Sequence, residues 1–190
     1  MSKQFWPPAA LLPPAPPALV TCGTLEKPNI LTIAWTGIVC SKPAMTYVSI
    51  RPERFSYGII KERGEFCVNI CTPELVFAAD YCGVKSGRDI DKFGEMKLTP
   101  VAASKIAPPL IAESPLSLEC RVTQVIPFGS HDMFLAEILA VAVNESCLDE
   151  AGKLDLGKCG VAAYSHGEYF KLGKRLGSMG YSVRKKKKHK

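Results

Sequence analysis

Leu116-Ser-Leu-Glu-Cys-Arg-Val-Thr-Gln-Val-Ile126 and Met133-Phe-Leu-Ala-Glu-Ile-Leu-Ala-Val-Ala-Val143 are two long apolar runs, linked by Pro127-Phe-Gly-Ser-His-Asp132. Runs of that length around a Pro/Gly/Ser/Asp cluster predict a β-hairpin with a loop longer than two residues. Upstream, Leu19–Thr24 and Asn29–Thr36 read as strands separated by a turn containing Glu-Lys-Pro-Asn. In the second, Ile30, Thr32, Ala34 and Thr36 share one face, and Leu31, Ile33 and Trp35 the other. Gly37 and Ser41-Lys42-Pro43 predict a loop, followed by a strand through Met45, Tyr47 and Ser49. Pro52 to Ser56 opens a helix stopped at Gly64, and Glu65–Ile70 is a further strand. Thr72 as N-cap, Pro73 at the first helical position and Gly83 as a stop predict a second helix. Glu150 to Lys153 reads as a short hairpin-like stretch before Gly160–Tyr164. Six or seven strands with two short helices, and no regular βαβ alternation, predict a mainly β protein: an antiparallel barrel with helical additions.

A chain of 190 residues with 47% apolar and 22% charged residues is sized for one globular domain. No apolar run approaches the roughly 20 residues of a membrane-spanning helix. The six prolines between Pro7 and Pro17 interrupt any signal-peptide core, so the expected location is the cytoplasm. The net charge is +6, yet five lysines fall within the last six residues, so the body is almost neutral. That pattern predicts a Pro-rich segment over 1–17, a folded body over 18–183 and a solvated basic tail over 184–190. It gives little support to nucleic-acid binding, although the tail by itself could act as a binding module. The eight cysteines include no Cys-x-x-Cys pair, and the three histidines are scattered, which speaks against a structural zinc site. Reduced thiols, several of them small core residues, are the expectation.

No Gly-x-Gly-x-x-Gly follows a strand, and there is no Walker-type Gly-Lys-Ser/Thr, Gly-x-Ser-x-Gly or His-Glu-x-x-His. Few groups suited to difficult chemistry remain, which fits a protein whose cofactor performs it. The informative block is Asn29-Ile-Leu-Thr-Ile-Ala-Trp-Thr-Gly-Ile-Val-Cys-Ser-Lys-Pro43 with Val48-Ser-Ile-Arg-Pro-Glu-Arg-Phe-Ser56. Downstream lie Gly64-Glu-Phe-Cys-Val-Asn-Ile70, Asp91-Lys-Phe93, Ser117-Leu-Glu-Cys120, Ser130-His-Asp-Met-Phe-Leu-Ala-Glu-Ile138 and Tyr169-Phe-Lys-Leu-Gly173. In this order and spacing they resemble the flavin reductase-like family, and its flavoredoxin subgroup most closely, over about residues 18–180.

The resemblance implies an FMN-binding split barrel of Greek-key type, a homodimer that exchanges electrons through the flavin. NADH or NADPH would be the reductant of an enzyme; an electron carrier would take electrons from another protein instead. Carried over residue by residue, it places FMN at Asn29, Trp35, Thr36, Ser41, Ser49, Ile50, Arg51 and Ser56, with Lys92 from the matching Asp-Lys-Phe. No catalytic side chain and no metal are implied. Side-chain chemistry agrees: Trp35 offers an aromatic edge, Arg51 a planar charged fork for phosphate, and Ser56 a place in a helix's first turn. Taken singly, Trp35 would read as core, Arg51 as a surface residue and Ser56 as a helix start. Co-occurrence in one ordered block favours the site. His131 stands in Gly129-Ser-His-Asp132, where many flavin reductases have Gly-Asp-His.

Overall fold

The computed structural model describes residues 1–184; the lysines expected to form a basic tail, Lys185 onward, lie outside the described residues. Residues 1–17 are almost wholly exposed and meet the body through a bridge between Ala15 and Tyr164. Regular structure begins with β1 (Ala18–Gly23), which folds back onto β2 (Pro28–Ile33). Gly23 turns that corner with a φ of 90°, where a Cβ would come within 2.3 Å of the Lys27 carbonyl oxygen. Next come the hairpin of β3 (Thr36–Ser41) and β4 (Ala44–Ile50), then α1 (Phe55–Arg63) and β5 (Glu65–Ile70). A 3-10 turn over Pro73–Leu75 leads into α2 (Val76–Val84), followed by α3 (Lys92–Met96). The short strands β6 (Pro100–Val101) and β7 (Leu110–Ile111) pair with each other. The long hairpin is β8 (Leu116–Pro127) with β9 (Asp132–Val143). A short helix, α4 (Leu156–Cys159), precedes a final hairpin of β10 (Ala162–Ser165) and β11 (Glu168–Lys171).

Seven strands form one antiparallel sheet in the order β2-β1-β5-β8-β9-β4-β3. Its two edge strands, β2 and β3, are consecutive in the chain and separated by Ala34 and Trp35 alone. The sheet therefore has to curl until its edges approach at a seam, and the Ser49 N–H, donating to the Trp35 carbonyl at 3.0 Å, carries the β3–β4 ladder one pair past Thr36 into the link between the edges. Register shifts at Glu119/Cys120 and Val122/Gln124 bend the long hairpin into that curl. This is the antiparallel barrel with short helices that the sequence predicts.

The barrel interior is filled by Val20, Leu31, Val48, Phe66, Val68 and Phe134 with their neighbours. Outside it, Leu19 and Ile30 pack with Leu75, Ala79 and Phe93 of the helical layer. With both faces covered, all six residues of β1 are buried, which explains why its sequence does not alternate. Asn69 anchors the β6–β7 layer: it donates to the Leu19 carbonyl and accepts from the Ile111 N–H, each at 3.0 Å.

Four local expectations change. The strand expected over Asn29–Thr36 ends at Ile33, and Thr36 starts a new one. Gly37 sits in β3 rather than in a loop, because the Tyr47 ring lies across it: a Cβ at Gly37 would meet that ring at 3.3 Å. Gly83 lies inside α2 instead of ending it; its missing Cβ lets the helix approach Thr32 of β2 closely. Thr72 is extended, as an N-cap should be, but its side chain caps nothing.

Candidate functional site

Because β2 and β4 meet at the seam, the ends of both strands and the start of α1 gather on one rim. There Leu31, Trp35, Ser49, Ile50 and Arg51 line a cleft of about 380 Å³, faced by α2 and by Tyr164 and Tyr169 of the last hairpin. At its mouth Trp35 is 45% exposed, and its ring centre lies 4.6 Å from that of His131, tilted by 37°. His131 comes from the β8–β9 loop, whose base is tied to α1: the Tyr57 hydroxyl donates to Asp132 Oδ2 at 2.6 Å. Desolvation, with the nearby Arg51 guanidinium, holds the His131 imidazole below its usual pKa. A neutral ring stacked on an indole is therefore its state near neutrality.

Leu31, Arg51 and Arg54 line both this cleft and a second hollow of about 570 Å³, so the two adjoin. Glu53, Ser56, Lys85, Ser86, Arg88 and Lys92 complete the hollow's polar lining. The start of α1 belongs to it. Arg54, its N-cap, makes no side-chain cap bond, and the first turn holds no acidic residue. Free N–H groups and the helix dipole there favour an anion. Arg54 Nη1 donates to the Gly83 carbonyl at 2.9 Å, which ties α1 to α2. Arg51 pairs with Glu53 at 3.5 Å, but both side chains are more than half exposed. Such a pair contributes little and yields readily to a better anion.

Beneath these exposed cations lies a buried polar frame. Ser56 Oγ accepts from Asn29 Nδ2 at 2.6 Å, and both side chains are buried. Lys92, 4% exposed, donates to the carbonyls of Ile30 and Cys82, each at 2.7 Å. An ammonium has three protons, so one remains after these two bonds. Burial lowers the Lys92 pKa and raises that of the adjacent Cys22 thiol to about 11. Cys22 therefore stays a neutral thiol in the barrel wall.

Of the residues expected to hold a cofactor, Trp35, Ser49, Ile50 and Arg51 line the cleft, and Arg51, Ser56 and Lys92 line the hollow. Asn29 stands behind Ser56 and lines a separate groove. The Thr36 hydroxyl is spent on the Tyr47 carbonyl at 2.6 Å. Ser41 is exposed and pairs with Ala44 at the far end of β3 from the cleft. Sequence reasoning passed over Arg54, Lys85, Arg88, Tyr164 and Tyr169. Arg54 was legible, two residues before Ser56 in the same block. Lys85-Ser-Gly-Arg88 carries a subtler signal: a Cβ at Gly87 would fall 1.8 Å from Asn29 Oδ1, so this basic loop must be glycine-bearing to close over the frame.

The model of the flavin reductase like domain matches residues 12–173. The chain belongs to the flavin reductase-like family. Its fold is the split barrel of that family. It superposes on the solved flavoredoxin of Desulfovibrio vulgaris (Miyazaki F) with a TM-score of 0.89 and 33% identity, covering 96% of this chain and 100% of that one. An uncharacterised protein of Archaeoglobus fulgidus is 35% identical over 146 residues, 77% of this chain and 81% of the relative. The NADPH-flavin oxidoreductase of Streptomyces viridifaciens is 27% identical over 124 residues, 64% of this chain and 63% of that protein.

Proposed function

We propose that the flavin reductase-like chain is an FMN-binding oxidoreductase of the flavoredoxin and flavin reductase type. One observation carries this reading: a cleft beside the Trp35–His131 stack adjoins, through Leu31, Arg51 and Arg54, a hollow at an uncapped helix N-terminus set among cations. The donor set fits FMN. An aromatic edge and apolar wall suit a planar ring system, and Arg51, Arg54, Ser56 and Lys92 suit a dianionic phosphate. Bound there, the flavin supplies redox chemistry that no side chain of the protein offers. The protein's own part is to hold the phosphate, to position the ring against the rim, and to leave the Trp35 side open to an electron donor.

NADPH or NADH is the reductant in this reading, in keeping with the NADPH-flavin oxidoreductase among the relatives. The flavoredoxin likeness favours a second role, an electron carrier reduced by another protein. We further read the chain as a cytoplasmic homodimer. Eight free thiols suit a reducing compartment, and Ile38 and Val39, 69% and 54% exposed on edge strand β3, suit a partner copy. Among the described residues, no helix is long and apolar enough to cross a membrane.

The visible absorption of the purified protein, alone and after addition of FMN, tests the binding; a chain with no flavin band and no affinity for FMN overturns the proposal. Anaerobic NADH or NADPH then separates the roles. Rapid bleaching identifies the reductase, and bleaching by dithionite alone identifies the carrier.

A further inference from the structure

Cys147 and Cys159 line a hollow of about 490 Å³ that shares no residue with the cleft. Cys147 ends a 3-10 turn over Glu145–Cys147, and Cys159 ends α4. The chain between them doubles back as a tight hairpin, with Leu148 bridging Leu154 and the Asp149 N–H donating to the Lys153 carbonyl at 2.8 Å. Both cysteines thus stand at the base of one loop. Asp155 connects them: its N–H donates to the Cys147 carbonyl at 2.7 Å, and its carbonyl accepts from Cys159 Sγ at 3.5 Å. Lys158 fixes α4 to the residue after Cys147 by donating to the Leu148 carbonyl at 2.9 Å.

We propose that Cys147 and Cys159 form a redox-active dithiol, which a hydroperoxide entering this hollow closes to an intramolecular disulfide. The chemistry balances in two steps. The Cys147 sulfur attacks the peroxide oxygen, giving a sulfenic acid and releasing water from hydrogen peroxide. The Cys159 sulfur then displaces the hydroxyl as a second water, and two thiols have given two electrons to one peroxide. The order follows from surroundings. Cys159 Sγ is already tied to the Asp155 carbonyl at 3.5 Å, and burial, the Cys147 thiol and Asp155 push its thiol up to about 12, so Cys159 is assigned the resolving part. A small external dithiol reverses the reaction.

The other cysteines differ in placement. Cys67 and Cys120 sit on adjacent strands but on opposite faces: Cys67 pairs in register with Glu119, and Cys120 packs in the barrel interior. Neither lines a hollow described above. The dithiol stands independently of the flavin reading, since none of its residues touches the cleft.

Wild-type protein treated with hydrogen peroxide and digested without reductant tests the proposal. The expected product is one cross-linked peptide joining Cys147 to Cys159, with two fewer thiols titratable in denaturant and full recovery after dithiothreitol. Cys159→Ser should abolish the cross-link and leave a sulfenic acid at Cys147 that dimedone traps. Cross-links between other cysteines alone, sulfinic acid at Cys147 without a cross-link, or unmodified Cys147 and Cys159 would each overturn it.

Discussion

The two ends of the cleft are built by opposite means. At the basic end, exposed cations rest on a buried frame in which Asn29, Ser56 and Lys92 are all hydrogen-bonded. At the aromatic end, Trp35 and His131 meet through their rings on the surface, and the His131 loop is braced from below by Tyr57. A dianion binds well where donors are fixed in advance, because little ordering is left to do. An exchange site for an electron donor needs access instead, and a loop supplies it. In the proposed function, one end holds the cofactor's phosphate and the other is approached by the electron donor.

Removing the buried frame should have the largest effect. Lys92→Met leaves the Ile30 and Cys82 carbonyls without their donor, partly offset by relief from burying a charge. Urea unfolding should register a loss of about 2 kcal/mol, and FMN affinity should fall with it. Unchanged stability would mean that Lys92 is held by the site rather than holding it. Arg51→Ala comes next. Its exposed ion pair with Glu53 contributes little to folding, so stability should stay constant while FMN binding weakens about tenfold, roughly 1.4 kcal/mol. The wild-type affinity should also fall with rising salt, and the variant's less steeply; equal salt slopes would remove Arg51 from the phosphate site.

At the aromatic end the effects are smaller. Tyr57→Phe deletes the bond to Asp132 and should cost about 1 kcal/mol of stability. It should loosen the His131 loop without changing FMN affinity; a fall in affinity equal to that of Arg51→Ala would erase the distinction between the two ends. The smallest signal is a titration. A folded pKa held below the ordinary 6.5 means that folding disfavours protonated His131. Its contribution to stability is therefore present above that value and is lost as pH falls through the folded pKa. In a Trp6→Phe background, Trp35 fluorescence should be quenched as the imidazole gains its proton, with a midpoint below 6.5. His131→Asn should flatten the curve, and a midpoint above that value would contradict the stacked geometry.

Local chemistry was enough to find most elements. Apolar runs around a turn cluster located β8 and β9 to within one residue, and Gly64, in the left-handed region at φ 69°, ends α1 where the sequence placed its stop. These features depend on backbone preference and nearest neighbours, which a linear pattern records. Glycines were less legible. Gly37 and Gly83 read as punctuation but serve close approach, of the Tyr47 ring and of Thr32, partners that only a folded sheet brings near.

By itself the sequence determined a mainly β chain, the long hairpin and the opening strand pair, and a block of residues with the right chemistry for a flavin. Tertiary structure alone decided which of them face a common space. Curling the sheet brought the end of β2 to the same cleft as that of β4, and packing α2 on β2 carried Lys85 and Arg88 to the start of α1. The same folding left Ser41 outside and set Cys147 beside Cys159. The physical reason is range: residue spacing fixes which face a side chain takes along its own strand or helix, whereas register, closure and layer packing fix which faces meet.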